Sequence, residues 1–156
     1  MKLKIGDQAP FFEGIDQYGS KFDSQEFINV KNLVVYFYPK NETKVCTAQA
    51  CSFRDSYEDF KDLNCLVVGI SGDSEKSHGK FAENHSLPFI LISDGDKKIR
   101  KNFAVPRDLL GLLPGRYTFV INKKGIIISV FHDISNAQNH TDDAMKALKK
   151  DANNEH

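Results

Sequence analysis

The stretch Leu33-Val34-Val35-Tyr36-Phe37-Tyr38-Pro39-Lys40-Asn41-Glu42-Thr43-Lys44-Val45-Cys46-Thr47-Ala48-Gln49-Ala50-Cys51-Ser52-Phe53-Arg54-Asp55 decides the fold. Residues 33–38 are apolar without interruption, the pattern of a strand covered on both faces. From Cys46 to about residue 61, Cys46, Ala50, Phe53, Tyr57 and Phe60 recur at helical spacing along one side. Two cysteines therefore fall where a buried strand hands over to a helix. A cysteine at a helix start meets unpaired backbone N–H groups and the positive end of the macrodipole, which both favour thiolate over thiol.

Outward from this junction, Cys65 to Ile70 repeats the apolar run, so both segments read as central parallel strands. A helix fits Ser74 to Asn84, capped by Asp73 or Ser74, and ends before Leu87-Pro88. A short strand at Phe89–Ile92 and a helical turn near Asp96 to Phe103 follow. The Pro- and Gly-rich loop from Val105 to Gly115 carries the apolar pairs Leu109-Leu110 and Leu112-Leu113, placed to flank an active site or a partner surface. Tyr117–Ile121 and Ile126–Phe131 surround Asn122-Lys123-Lys124-Gly125, a hairpin signal with glycine in the left-handed position. A last amphipathic helix uses Ala144, Met145 and Leu148, and residues 11 to 22 add a small N-terminal hairpin around Gln17-Tyr18-Gly19. The order predicts an α/β protein of thioredoxin-like architecture, a mixed central sheet with helices on both faces. One domain spans 1–156, with 151–156 as a frayed polar tail.

Twenty-one Lys+Arg balance 21 Asp+Glu, with no basic run or acidic block, so charge points to neither nucleic acid nor anionic lipid as a partner. The longest apolar runs are far short of a membrane span, and Gly6-Asp7 follows Met1–Ile5 where a signal peptide would place its apolar core. The expected setting is the cytoplasm. Three cysteines fit a disulfide framework poorly, and in a reducing compartment a close pair points to catalysis or metal binding.

Five residues along an ideal helix amount to about 140° and put Cα atoms roughly 8 to 9 Å apart. A disulfide needs less than about 7 Å. A permanent Cys46–Cys51 bridge would therefore form against the helix, whereas a transient bridge would use that cost as a switch. Zinc is a further alternative, but Cys-x4-Cys lies outside the tightest ligand spacings and His78, His85, His132 and His140 form no second ligand pair. These histidines read as surface or loop residues. Cys65, inside a Leu/Val strand, reads as a buried small hydrophobe.

The segment resembles a known family. Pro39-x3-Thr43-x2-Cys46 is similar to the peroxiredoxin active-site signature, and Thr47-x-Gln49-Ala50-Cys51-x-Phe53-Arg54-Asp55 resembles its Q-type, or bacterioferritin-comigratory-protein, branch. Gly6-Asp7-x-Ala9-Pro10-x-Phe12, Gly69-Ile70-Ser71-x-Asp73-Ser74, Phe81-Ala82-Glu83-x-His85-x-Leu87-Pro88-Phe89 and Arg116-x-Thr118-Phe119-Val120-Ile121 extend the likeness over almost the whole chain. The resemblance implies an atypical two-cysteine thiol peroxidase acting on hydrogen peroxide and organic hydroperoxides in antioxidant defence. It makes Cys46 the peroxidatic cysteine, Cys51 the resolving one, Thr43 and Arg116 the polar partners of sulfur and peroxide, and Pro39 a wall of the pocket. It implies a thioredoxin-type reductant, no cofactor and no metal. An intrachain resolving cysteine fits a monomer.

Lowering a thiol pKa from about 8.5 to about 6 raises the thiolate fraction only some thirtyfold at neutral pH, so the rest of the acceleration must come from alignment and charge stabilisation. Arg116 can supply fixed charge, and Thr43, otherwise an N-cap, a hydroxyl. Arg54 and Asp55 form a helix-surface pair, with Arg54 also able to steer Cys46 electrostatically. Lys44-Val45 stands where the family commonly has Pro-Gly, which removes glycine's freedom at positive φ from the approach to Cys46. Two other activities use the same cysteines. A disulfide oxidoreductase would want Cys-x-x-Cys, and a redox-sensing or chaperone-like binding module would use the Cys46/Cys51 switch without turnover.

Overall fold

The computed structural model describes the backbone of residues 2–108 and 113–154. Leu109, Leu110 and Leu112 of the apolar loop, and residues 155–156 of the tail, lie outside the described residues. A five-stranded sheet is built from β3 (Asn32–Phe37), β4 (Cys65–Ser71), β5 (Ile90–Ser93), β8 (Tyr117–Ile121) and β9 (Ile127–His132), in the order β5-β4-β3-β8-β9. β3 pairs parallel with β4 and antiparallel with β8, so the sheet is mixed, as the strand pattern predicts. A separate hairpin joins β1 (Glu13–Ile15) to β2 (Lys21–Asp23), and the short strands β6 (Arg107–Asp108) and β7 (Leu113–Pro114) pair with each other.

β3 is buried along its whole length because its side chains alternate between two cores. Val34 and Tyr36 face the core that holds Cys46, Ala50, Phe53, Phe60, Phe81, Ala144 and Leu148. Leu33, Val35 and Phe37 face Phe12, Phe22, Ile99, Phe103 and Phe119. The first core is covered by α1 (Lys44–Asp55), α2 (Tyr57–Asp62), α3 (Glu75–His85) and α5 (Ala137–Asn154). The second is covered by α4 (Lys98–Asn102) and the N-terminal segment. The crossovers β3-α1-β4 and β4-α3-β5 run in the same direction across the sheet, so right-handed connections put both helices on one face.

Two boundaries differ from the sequence reading. The helix expected over 46–61 is two helices, because the chain bends at Ser56, whose N–H turns back to Ser52 and Arg54 carbonyls. The C-terminal helix runs on through Asp151 to Asn154, so those polar residues belong to a helical end. Gly69 in β4 explains how Tyr36 fits against the sheet: a Cβ there would lie 2.7 Å from Tyr36 Cζ.

Candidate active site

The C-terminal end of β3 leads directly into the site. Tyr38 is buried, Pro39 is half-buried, and the backbone turns through a positive φ of 59° at Glu42 before Thr43 opens α1 in an extended conformation. Lys44 and Val45 are the first two residues of α1, and neither has a positive φ. The left-handed residue of this approach is Glu42, so Lys44-Val45 needs no glycine. Thr43 takes the N-cap position without making the cap bond: its hydroxyl donates to Lys40 O at 2.9 Å, which folds the turn on itself.

Cys46 is the third helical residue, within the turn whose amides lack intrahelical partners, and it is 1% exposed. Arg116, one residue before β8 and itself buried, reaches across from the other side of β3. Its Nη2 donates to Cys46 Sγ at 3.2 Å, its Nη1 to Gln49 Oε1 at 2.7 Å, and its Nε to Ile134 O at 3.3 Å. Gln49 lies one helical turn beyond Cys46, on the same buried face. Cys46, Gln49 and the Ile134 carbonyl thus help to hold the planar guanidinium, which puts a full positive charge in contact with the sulfur.

Two buried histidines back this arrangement, and both are placed in helices rather than in the surface positions expected for them. His140 in α5 donates from Nε2 to Asp133 O at 2.7 Å, which leaves Nδ1 to accept the Thr118 hydroxyl at 2.7 Å. It therefore braces both β8 and the turn whose Ile134 carbonyl holds Arg116. Burial pushes its pKa down, and the nearby Arg116 charge adds to this, against the opposing pull of its bond to the Asp133 carbonyl. His78 in α3 donates from Nε2 to Ile92 O at 3.1 Å and accepts Asn41 Nδ2 at Nδ1 at 2.9 Å. Asn41 Oδ1 in turn accepts the Tyr38 hydroxyl at 2.5 Å, and the Asn41 amide N–H donates to Asp73 Oδ2 at 2.9 Å. This chain fixes the loop between β3 and α1. Burial also lowers the pKa of His78, with Asp73 acting the other way. Each imidazole has both nitrogens engaged as a neutral ring, so neither offers a ligand to a metal.

Cys51 lies five residues beyond Cys46 in the unbroken helix α1 and is half-buried. All three cysteines are free thiols. Helical spacing holds the Cys46 and Cys51 Cα atoms beyond disulfide range. Arg54 pairs with Asp55 at 3.0 Å and donates from Nη1 to the His85 carbonyl at 2.7 Å. Its pKa is raised, chiefly by the hydrogen bond to Asp55. Cys65 is buried in β4, and desolvation pushes its thiol up to about 12. It is inert at neutral pH, as its strand context predicts.

Of the residues singled out in the sequence, the structure brings Cys46 and Arg116 into contact, holds Cys51 apart on the same helix, and engages Thr43 with Lys40. Sequence reasoning missed Gln49 as an arginine acceptor, and Asn41, His78 and His140 as braces. Gln49 had one usable signal, its i+3 spacing from Cys46.

A buried cysteine at a helix start, faced by a buried arginine on a thioredoxin-like sheet, fits the class of thiol-dependent peroxidases, and residues 5–130 match the AhpC/TSA family. The chloroplastic peroxiredoxin Q of Populus jackii is 47% identical over 148 residues, covering 95% of this chain and 69% of that protein. The crystal structure of peroxidoxin BcpB from Mycobacterium tuberculosis aligns with a TM-score of 0.87 at 33% identity, over 95% of this chain and 97% of that one. A Xanthomonas campestris bacterioferritin comigratory protein, solved in connection with its alkyl peroxide reduction activity, aligns with a TM-score of 0.82 at 27% identity, over 90% and 92% of the two chains. The chain belongs to the AhpC/TSA family, in its peroxiredoxin Q branch, and is a peroxidase.

Proposed function

We propose that the chain reduces hydroperoxides through Cys46 and recycles through Cys51. The observation that carries this reading is the 3.2 Å contact from Arg116 Nη2 to Cys46 Sγ, with the guanidinium pinned by Gln49. The Cys46 thiolate attacks one peroxide oxygen; an S–O bond forms, the O–O bond breaks, and the departing oxygen takes a proton to leave as an alcohol or water. Arg116 meets the charge that develops on the oxygens. The Thr43 hydroxyl, with its hydrogen committed to Lys40 O, keeps lone pairs that accept the peroxide O–H, and Pro39 walls the pocket. The Cys51 sulfur then attacks the Cys46 sulfenic acid, forming S–S as the S–O bond breaks and water leaves. A thioredoxin-type dithiol reduces this disulfide by exchange and carries away its two-electron oxidation.

Both cysteines sit on one helix, so the cycle needs no partner subunit and fits a monomer. α1 must unwind between residues 46 and 51 in the resolving step. Organic hydroperoxides join hydrogen peroxide as substrates in this reading, a choice supported by the alkyl peroxide reduction activity of the Xanthomonas protein. The role is antioxidant defence, and the compartment is the reducing cytoplasm.

The test is peroxide consumption coupled to a thioredoxin system. Cys46→Ser abolishes turnover; Cys51→Ser permits one equivalent of oxidation at Cys46 and then stops. A fully active Cys46→Ser variant overturns the assignment.

A further inference from the structure

The two sulfurs meet only if α1 opens between them, and the structure shows what holds that stretch closed. The Cys46 end is fixed by buried contacts to Arg116 and by the Asn41–His78 bond in the loop before it. The Cys51 end is the part that can leave. Its next residue, Ser52, has its Oγ 2.7 Å from Thr141 Oγ1 and donates to Gln138 Oε1 at 3.0 Å, both on α5. Gln138 Nε2 donates to Asp142 at 2.9 Å, which sets its carbonyl oxygen toward Ser52. The Ser52 hydrogen is thus committed to Gln138, and the Thr141 hydroxyl is the donor to Ser52. Thr141 is 2% exposed with α1 in place, so the Ser52–Thr141 hydrogen bond is shielded from water while the helix is closed. The residue before it, His140, braces the Arg116 side. Neighbouring positions of one helix therefore hold the attacking half of the site and the resolving half.

We propose that the Ser52–Thr141 pair is a positioning pin for the resolving step, holding Cys51 away while peroxide reacts at Cys46 and setting by its release how fast the disulfide forms. This rests on the reading above that Cys51 resolves Cys46. The pin also decides a competition. While it holds, the Cys46 sulfenic acid remains open to a second hydroperoxide, which adds an oxygen to give the sulfinic acid and an alcohol or water. Faster release diverts sulfur to the disulfide; slower release exposes it to over-oxidation.

Thr141→Val removes the donor from α5 without touching the sequence of α1. Ser52→Ala removes the other half, although alanine's higher helix propensity works against opening. Thr141→Ser keeps the hydroxyl and serves as the rescue. Attack and resolution are separated by stopped-flow tyrosine fluorescence, the chain having no tryptophan, and the sulfinic fraction is read by mass spectrometry after a fixed peroxide excess. The expected result for Thr141→Val is an attack constant within about twofold of wild type, a resolving constant about fivefold higher, and a smaller sulfinic fraction. Thr141→Ser returns to wild-type values, and adding Ser52→Ala to Thr141→Val brings no further gain. An unchanged resolving constant, or attack and resolution shifted together, overturns the pin. If the wild type forms sulfenic acid but no Cys46–Cys51 disulfide, the role of Cys51 fails and takes the pin with it; a normal disulfide with unmoved rates removes the pin alone.

Discussion

Arg116 Nη2 lies 3.2 Å from Cys46 Sγ, although the two residues are 70 positions apart and arrive from different strands of the sheet. β3 delivers one and β8 the other, and their antiparallel pairing, with Phe37 opposite Tyr117, sets the two chain segments side by side at one end of the sheet. The contact is thus a product of register, and it holds only while the sheet and the arginine's Gln49 and Ile134 acceptors hold.

Arg116→Lys is expected to lower the second-order rate of peroxide attack by about a hundredfold. An ammonium is a point charge on a flexible stem and cannot bond Cys46, Gln49 and Ile134 together in one plane. Stopped-flow oxidation of Cys46 measures it; a loss under about threefold would show that charge alone suffices.

Gln49→Leu removes the acceptor that Gln49 offers to the buried Arg116 Nη1. Stability should fall by about 1 to 3 kcal/mol, and attack by roughly tenfold as the guanidinium loses its fixed angle. Urea unfolding and the same kinetic trace separate the two effects. Wild-type attack in a destabilised variant would make Gln49 a structural residue only.

The sheet was legible because each central strand is a continuous apolar run, and Leu33 to Phe37 have to fill two cores at once. The place of Cys46 at a helix start was legible for a related reason, since a strand-to-helix junction can be read locally. The braces were not. His78 is defined by Asn41, 37 residues away, and His140 by Thr118, 22 residues away, and nothing local to either histidine marks those partners. Thr43 shows the opposite failure: it stands where a cap belongs, yet its hydroxyl prefers the Lys40 carbonyl that the turn at Glu42 brings within reach.

Gly115 precedes Arg116, and a Cβ there would lie 2.0 Å from the Pro106 carbonyl oxygen. Backbone must therefore move in Gly115→Ala, and Arg116 moves with it. In the proposed cycle Arg116 meets the charge on the peroxide, and there a displacement of about 1 Å costs on the order of a hundredfold. The variant should lose peroxidase activity while keeping far-UV circular dichroism near that of the wild type; full activity would show that the loop yields on the Pro106 side instead.

Cys65, with its thiol pushed up to about 12 by desolvation, should resist alkylation at neutral pH until the chain unfolds. Cys65→Ala should cost about 1 to 2 kcal/mol of stability and leave turnover unchanged. Peptide mapping after brief iodoacetamide treatment checks the first point. Modification of Cys65 in the folded protein would contradict its burial.

His78 and His140 make stability depend on pH with a definite sign. Burial lowers both folded pKa values below the ordinary histidine value of about 6.5. The unfolded chain therefore takes up protons first as pH falls. The stability held by the neutral rings is fully present above about pH 6.5 and is lost progressively as pH drops through the lower folded values. The urea midpoint of the wild type should fall between about pH 7.5 and about pH 5.5, and fall less in His78→Gln and His140→Gln. Because His140 braces the Ile134 turn against Arg116, its protonation in the folded protein should also slow peroxide attack, at the lower pH where its depressed folded value lies, an effect that His78→Gln retains and His140→Gln loses. Parallel midpoint curves in all three proteins would mean that these histidines do not set the acid limb.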